Sequence, residues 1–181
     1  LNLLLSTACN MNWLIIVAGG KGERAKLGFN KIFAKLGKHP LIYWTLLAFE
    51  KNKNIDEIII SVGEQDLKKA KSIVKKYGFK KVKEFVPAST SRQESTLKIL
   101  EEFKGKIKNN DLVGVHNGVN PFVSQKEISE VYRSAKVFGA ALLAQKARDT
   151  VKIANENGFV DLTPLREFSW YAQTPQVAIF V

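Results

Sequence analysis

Ile15-Ile16-Val17-Ala18-Gly19-Gly20-Lys21-Gly22-Glu23-Arg24, followed closely by Asn30-Lys31-Ile32-Phe33, is the stretch that decides how this chain folds. A short apolar run that breaks into glycines and then into fixed positive charge reads as a buried strand delivering a backbone loop to an anion. A side chain at the glycine positions would hold the backbone away from phosphate, whereas bare peptide N–H groups in a tight loop can point inward at its oxygens. Arg24 and Lys31 bring full charges to one phosphate chain, one from the loop and one from its return. The pattern predicts a nucleoside triphosphate cradle. Neither standard phosphate motif is met, because Gly22 is followed by Glu23 rather than a Lys-Ser/Thr pair. The dinucleotide pattern fits Gly20, Gly22 and Ala25 only if its last glycine is relaxed. A glycine-rich turn beside solvated lysines is the competing reading of the stretch taken alone.

Working outward, strands are predicted at Trp13 to Ala18, Ile55 to Val62, Val82 to Val86, Leu112 to His116 and Ala140 to Lys146. Their residues are mostly apolar on both faces rather than alternating. Helices are predicted between them. One follows Pro40 over Leu41 to Glu50, and a second runs from Gln65 to Tyr77 and stops at Gly78. A third covers Ser91 to Phe103, and a fourth covers Ser124 to Phe138 with Ser124 and Glu127 spaced for a capping box. Alternating buried strands and helices imply a parallel sheet covered on both faces, with ligands taken past the carboxyl ends of the strands. The glycine loop and the turns at Ser89 to Ser95 and His116 to Pro121 should therefore open onto one crevice. From Asp149 to Leu162 the pattern changes to an irregular hairpin turning at Asn157-Gly158.

A chain of 181 residues suits one domain that buries about 70% of its unfolded surface. Residues 12–181 are read as that domain. Residues 1–11 are read as a non-native or disordered extension, since Met11 is the single methionine and directly precedes the first strand. The Ser-Thr-Ala-Cys ending at Cys9 resembles a lipoprotein cleavage site but lacks the basic start and the apolar length. With 28 basic and 17 acidic residues the formal charge is +11, which favours anionic partners. No aromatic platform is interleaved with the lysines, so nucleic acid is not expected, and no run is long enough to span a membrane. One cysteine rules out an intrachain disulfide, and two histidines leave no zinc-ligand spacing.

Six motifs in order resemble the cytidylyltransferase family that makes 4-diphosphocytidyl-methylerythritol in isoprenoid precursor synthesis. They are Ala18 to Arg24, Asn30-Lys31, Ser91-Arg92-Gln93-Glu94-Ser95, His116-Asn117-Gly118-Val119-Asn120-Pro121, Asp149-Thr150-Val151-Lys152, and Arg166 with Gln173-Thr174-Pro175-Gln176. The resemblance implies a three-layer Rossmann-like nucleotidyltransferase fold with a mostly parallel sheet and a protruding β-arm at 147–165. It implies CTP, a sugar phosphate acceptor and magnesium in a cytoplasmic homodimer joined through the arm. Arg24 and Lys31 would be catalytic, while Ala18, Gly19, Gly20, Gly22, Ser89, Arg92 and Ser95 would hold the nucleotide. Thr150 and Arg166 would hold the acceptor.

The chain departs from the family at several points. Ala88-Ser89 replaces Gly-Gly, Asn117 replaces the metal-binding aspartate, and Asn120 replaces an arginine. Asn117 keeps an oxygen for a hard cation without its negative charge. Family members continue several tens of residues beyond Gln176, so the chain reads as C-terminally truncated. A relative acting on ribitol phosphate or another polyol phosphate, and a non-catalytic nucleotide-binding homologue, are the alternative functions.

Overall fold

In the computed structural model, residues 10–20 and 28–181 are described. β1 (Asn12–Ala18) is the centre of a six-stranded sheet. A small hairpin follows, made by β2 (Lys35–Leu36) and β3 (His39–Pro40). Then come α1 (Leu41–Glu50), β4 (Glu57–Val62), α2 (Leu67–Tyr77), β5 (Val82–Pro87), α3 (Arg92–Glu102), β6 (Leu112–Asn117), α4 (Gln125–Phe138) and β7 (Ala140–Lys146). β8 (Ile153–Ala154) and β9 (Val160–Leu162) form a separate antiparallel hairpin, and β10 (Trp170–Ile179) returns to the main sheet. The sheet order is β5-β4-β1-β6-β10-β7. β5, β4, β1 and β6 run parallel, and β10 is antiparallel to both of its neighbours.

Both faces of the parallel part are packed, as the unbroken apolar runs require. Leu14, Ile16, Ile58 and Ile60 lie in one core with Ile42, Leu46 and Phe49 of α1 and with Ile128, Val131 and Tyr132 of α4. Trp13, Ile15 and Ile59 point the other way, onto Ile99 and Phe103 at α3. Gly114 of β6 makes room for α4, because a Cβ there would stand 2.2 Å from the Tyr132 hydroxyl. That hydroxyl donates to Trp13 O at 2.7 Å and so ties α4 to β1 across the core. α4 starts with the capping box expected of Ser124 and Glu127. α2 ends on Gly78 in the left-handed region, where glycine carries no Cβ penalty.

Three expectations need correction. β10 was not foreseen; Pro175 interrupts its pattern, and the register with β7 shifts between Ala172 and Gln176. Met11 belongs to the fold rather than to an extension. Its N–H donates to the Asp111 carboxylate at 2.9 Å, and its carbonyl accepts from Leu112 N. The helix expected from Gln65 begins with a 3-10 turn at Glu64–Asp66 and becomes α-helical at Leu67. The remaining expectation for the N-terminus, covering residues 1–9, lies outside the described residues.

Candidate active site

The carboxyl ends of β1, β4, β5 and β6 carry four turns that touch one another. Gly19, just past β1, lies against the turn after β5, and a Cβ on it would sit 2.2 Å from the Ala88 methyl. Ala88 N donates to Val62 O at 2.9 Å, and Gly118 N donates to Val17 O at 2.9 Å. A Cβ on Gly118 would lie 3.0 Å from that of Ala18. Gly20 is exposed, with nothing near its missing Cβ. The glycine loop and the two turns expected beside it therefore do converge. Gly22 and Arg24 lie outside the described residues.

Lys31 opens a 3-10 turn, Lys31–Phe33, and its own side chain is exposed. Both of its neighbours are anchored. Asn30 is buried and accepts from Ile32 N at 3.2 Å, and Ile32 and Phe33 sit in the core shared with α1. Asn30 Nδ2 donates to Ala18 O at 2.7 Å, which joins the turn directly to the end of β1.

Ser95, expected to hold the nucleotide, is bonded to the turn that precedes α3. Ser91 is the N-cap of α3, accepting from Glu94 N at 3.1 Å. Ser95 is buried, donates its hydroxyl to Ser91 O at 2.8 Å, and accepts from Ser89 N at 2.9 Å. It thus locks the 89–91 turn against the first turn of α3. Arg92, at the first position of that helix, has a buried Nη2 that finds no acceptor among the described residues. Burial pushes its guanidinium below the ordinary value. It remains a cation at neutral pH, at a helix end that already favours anions.

Near the end of β6, His116 is wholly buried, and its Nε2 lies 2.9 Å from Asn120 O in the turn that follows. Burial lowers its pKa to about 4, with a smaller push from the Arg92 charge, so the ring is neutral at pH 7. Asn117 N and Asn120 Nδ2 both donate to Thr174 Oγ1, at 3.4 and 3.3 Å. Thr174 belongs to β10, so the antiparallel strand also shapes the crevice. Every side chain of this network is uncharged. Among the described residues no group of three or more His, Cys, Asp or Glu could hold a metal ion. Asn117, with one neutral amide oxygen, therefore fits a divalent cation poorly.

No hydrogen bond among the described residues joins the Thr150 or Arg166 side chain to these turns. Both are exposed, near the β8–β9 hairpin. Arg166 Nη1 donates to Arg148 O at 3.3 Å and lines a cavity of about 390 Å³ with Lys146, Ala147, Leu165 and Glu167. Asp66 is a site residue to which the sequence gives no role, and Thr174, part of a motif segment, is given none of its own. Asp66 reads as part of a helix start, and Thr174 lies in the unforeseen strand.

This arrangement has close counterparts. The model of the IspD family, 2-C-methyl-D-erythritol 4-phosphate cytidylyltransferase, matches residues 13–180. The chain belongs to this family. It is 36% identical over 165 residues to the IspD of Clostridium botulinum, spanning 91% of this chain and 71% of that one. It is 39% identical over 166 residues to the IspD of Alkaliphilus metalliredigens, spanning 91% and 67%. Among solved structures, the 4-diphosphocytidyl-2C-methyl-D-erythritol synthase of Anaerococcus prevotii superposes with a TM-score of 0.77 at 30% identity, covering 94% of this chain and 70% of that one. The Francisella tularensis IspD superposes with a TM-score of 0.73 at 28% identity, covering 94% and 73%. The IspD fold is thus the mostly parallel, three-layer sheet described above.

Proposed function

We propose that this chain transfers CMP from CTP to 2-C-methyl-D-erythritol 4-phosphate and releases pyrophosphate. Membership of the IspD family supports the reading. The observation that carries it is the anchored turn presenting Lys31 at the end of β1, tied by Asn30 to Ala18 directly before the glycines. A phosphate oxygen of the acceptor attacks the α-phosphorus of CTP. The new P–O bond forms as the bond between the α-phosphorus and the bridging oxygen breaks, and pyrophosphate leaves with that electron pair. The nucleophile is already an anion at neutral pH, so no general base is required. What the site has to supply is the approach of two polyanions and stabilisation of charge on a five-coordinate phosphorus.

Lys31 and Arg24 are assigned to that charge, Arg24 from its place in the loop sequence. Gly19, Gly20 and Gly22 give the backbone access to the phosphates, Ala18 closes the strand beneath them, and Ser89 and Arg92 border the nucleotide. Ser95 acts through the Ser89 turn. Because Asn117 brings no negative charge, magnesium is assigned to the incoming CTP rather than to a preformed protein site. CTP is a cytoplasmic metabolite, which is the reason for placing the enzyme in that compartment.

Thr150 and Arg166 are assigned to the acceptor in a homodimer formed through the 147–165 arm. Ile153, Phe159, Val160, Leu162 and Leu165 are all exposed on the arm, an apolar surface that suits a partner. Among the described residues no helix is long and apolar enough to cross a membrane. The decisive experiment is pyrophosphate release with CTP and each acceptor in turn. No release with 2-C-methyl-D-erythritol 4-phosphate above the rate without acceptor, or faster release with ribitol 5-phosphate, rejects the assignment.

A further inference from the structure

Asp66 stands at the N-terminal boundary of α2, where an aspartate ordinarily accepts the free N–H groups of the helix. Its side chain caps nothing there. It accepts instead from Asn30 Nδ2 at 3.0 Å, the nitrogen that also donates to Ala18 O. The amide has only one sensible orientation, since a flip would turn its oxygen toward a carbonyl and a carboxylate. Asn30 is 7% exposed, and Ile32 and Phe33 are 1% and 8% exposed. Lys69 of α2 adds a second tie, its Nζ lying 4.3 Å from the centre of the Phe33 ring. The exposed Lys31 is thus bracketed by buried residues that join the end of β1 to the start of α2.

We propose that Asn30, held by Asp66, is a positioning residue that sets the direction in which Lys31 leaves the end of β1. The inference rests on the cytidylyl transfer proposed above. Four rotatable bonds separate the Lys31 ammonium from its Cα, so the protein controls its reach chiefly through where that Cα sits and how it is turned. A displacement of about 1 Å at a catalytic group can cost on the order of a hundredfold in rate. Ground-state affinity for CTP is shared among several donors and depends less on any one of them.

Asn30→Ala, Asp66→Ala and Asn30→Asp test the clasp, with kcat, the KM for CTP and thermal unfolding measured for each. Asn30→Ala is expected to lower kcat by about a hundredfold while the KM for CTP stays within about threefold. Asp66→Ala, which leaves the bond to Ala18 in place, is expected to lower kcat by a smaller factor. In Asn30→Asp the new carboxyl faces that of Asp66 at hydrogen-bonding distance, so the pair retains one proton well above the ordinary carboxylate range. When protonated, the new side chain can still donate to Ala18 O. When ionised, it repels Asp66. Activity relative to the wild type at the same pH should therefore fall as pH rises from about 5 to about 8.

An Asn30→Ala enzyme with wild-type kcat, or an Asn30→Asp ratio that is flat across this range, overturns the positioning role. Absence of wild-type turnover counts against the cytidylyl transfer instead. The clasp is then read from Asn30→Asp unfolding alone. The variant must lose stability relative to the wild type as pH rises through the raised pKa, and a gap independent of pH rejects the clasp.

Discussion

Acid should destabilise this protein through His116 before most of its carboxylates are protonated. The ring is fully buried, lies at 64° to Phe49 with centroids 4.7 Å apart, and spends Nε2 on Asn120 O. Burial takes its pKa from 6.5 to about 4, and the Asn120 and Thr174 carbonyls offset this only in part. Between those values the unfolded chain binds a proton that the folded chain excludes. The contribution is therefore complete above about pH 6.5 and is lost as pH falls toward 4. The drop from 6.5 to about 4, at ~1.4 kcal/mol for each tenfold change, gives a ceiling of about 3.5 kcal/mol, a sizeable share of a total of about 5–15 kcal/mol. His116→Gln keeps a donor for Asn120 O without a titrating ring. Urea unfolding of both proteins at several pH values from 8 to 4 isolates the effect. The wild type should lose stability relative to the variant by up to about 3.5 kcal/mol across the window. Parallel curves would refute the argument, because they would mean that the ring is protonated in the folded state or is not shielded.

Lys31→Ala should lower the rate of pyrophosphate release by a factor of about 100–1,000 with no change in thermal unfolding, since the side chain is exposed and packs little. A variant with near-normal turnover would remove Lys31 from the chemistry. Gly114→Ala should destabilise by about 1–3 kcal/mol or prevent folding, because the added methyl meets the Tyr132 hydroxyl at 2.2 Å. Differential scanning fluorimetry showing an unchanged midpoint would contradict the packing described for α4. Asn117→Asp should lower the magnesium concentration needed for half-maximal activity, because it adds the charge that the turn lacks. If the magnesium titration is unchanged, no cation is drawn to this turn.

The parallel half of the fold was legible because its signals are local. Leu14, Ile15 and Ile16 are apolar on both faces, and Ser124 with Glu127 marks a helix start without reference to any other part of the chain. β10 was not legible, since Pro175 breaks its pattern and its pairing partners are tens of residues away. The site divides in the same way. The glycines and Lys31 stand out in one short stretch, and the convergence of three turns followed from the strand order. The side-chain bonds that tie those turns together were hidden, because Asp66 falls within the helix predicted from Gln65 and Ser95 reads as a nucleotide-binding residue. Both are engaged by residues in other turns or across a turn, and only the folded geometry reveals those partners. Asn30 was recognised only as the neighbour of Lys31, although its three hydrogen bonds are what anchor that turn.

The place of β10 between β6 and β7 sets an order in which the sheet can be completed. β7 is made earlier in the chain, yet among the described residues its only strand partner in the sheet is β10. Until the chain has been synthesised past Trp170, β7 can rest on α4 but has no ladder to join, and its backbone groups remain open to water or to another chain. Closure of that side of the sheet is thus a long-range event, slower than the formation of the local strand–helix units. During that interval β7, like the outer edge of β6, is exposed to mispairing.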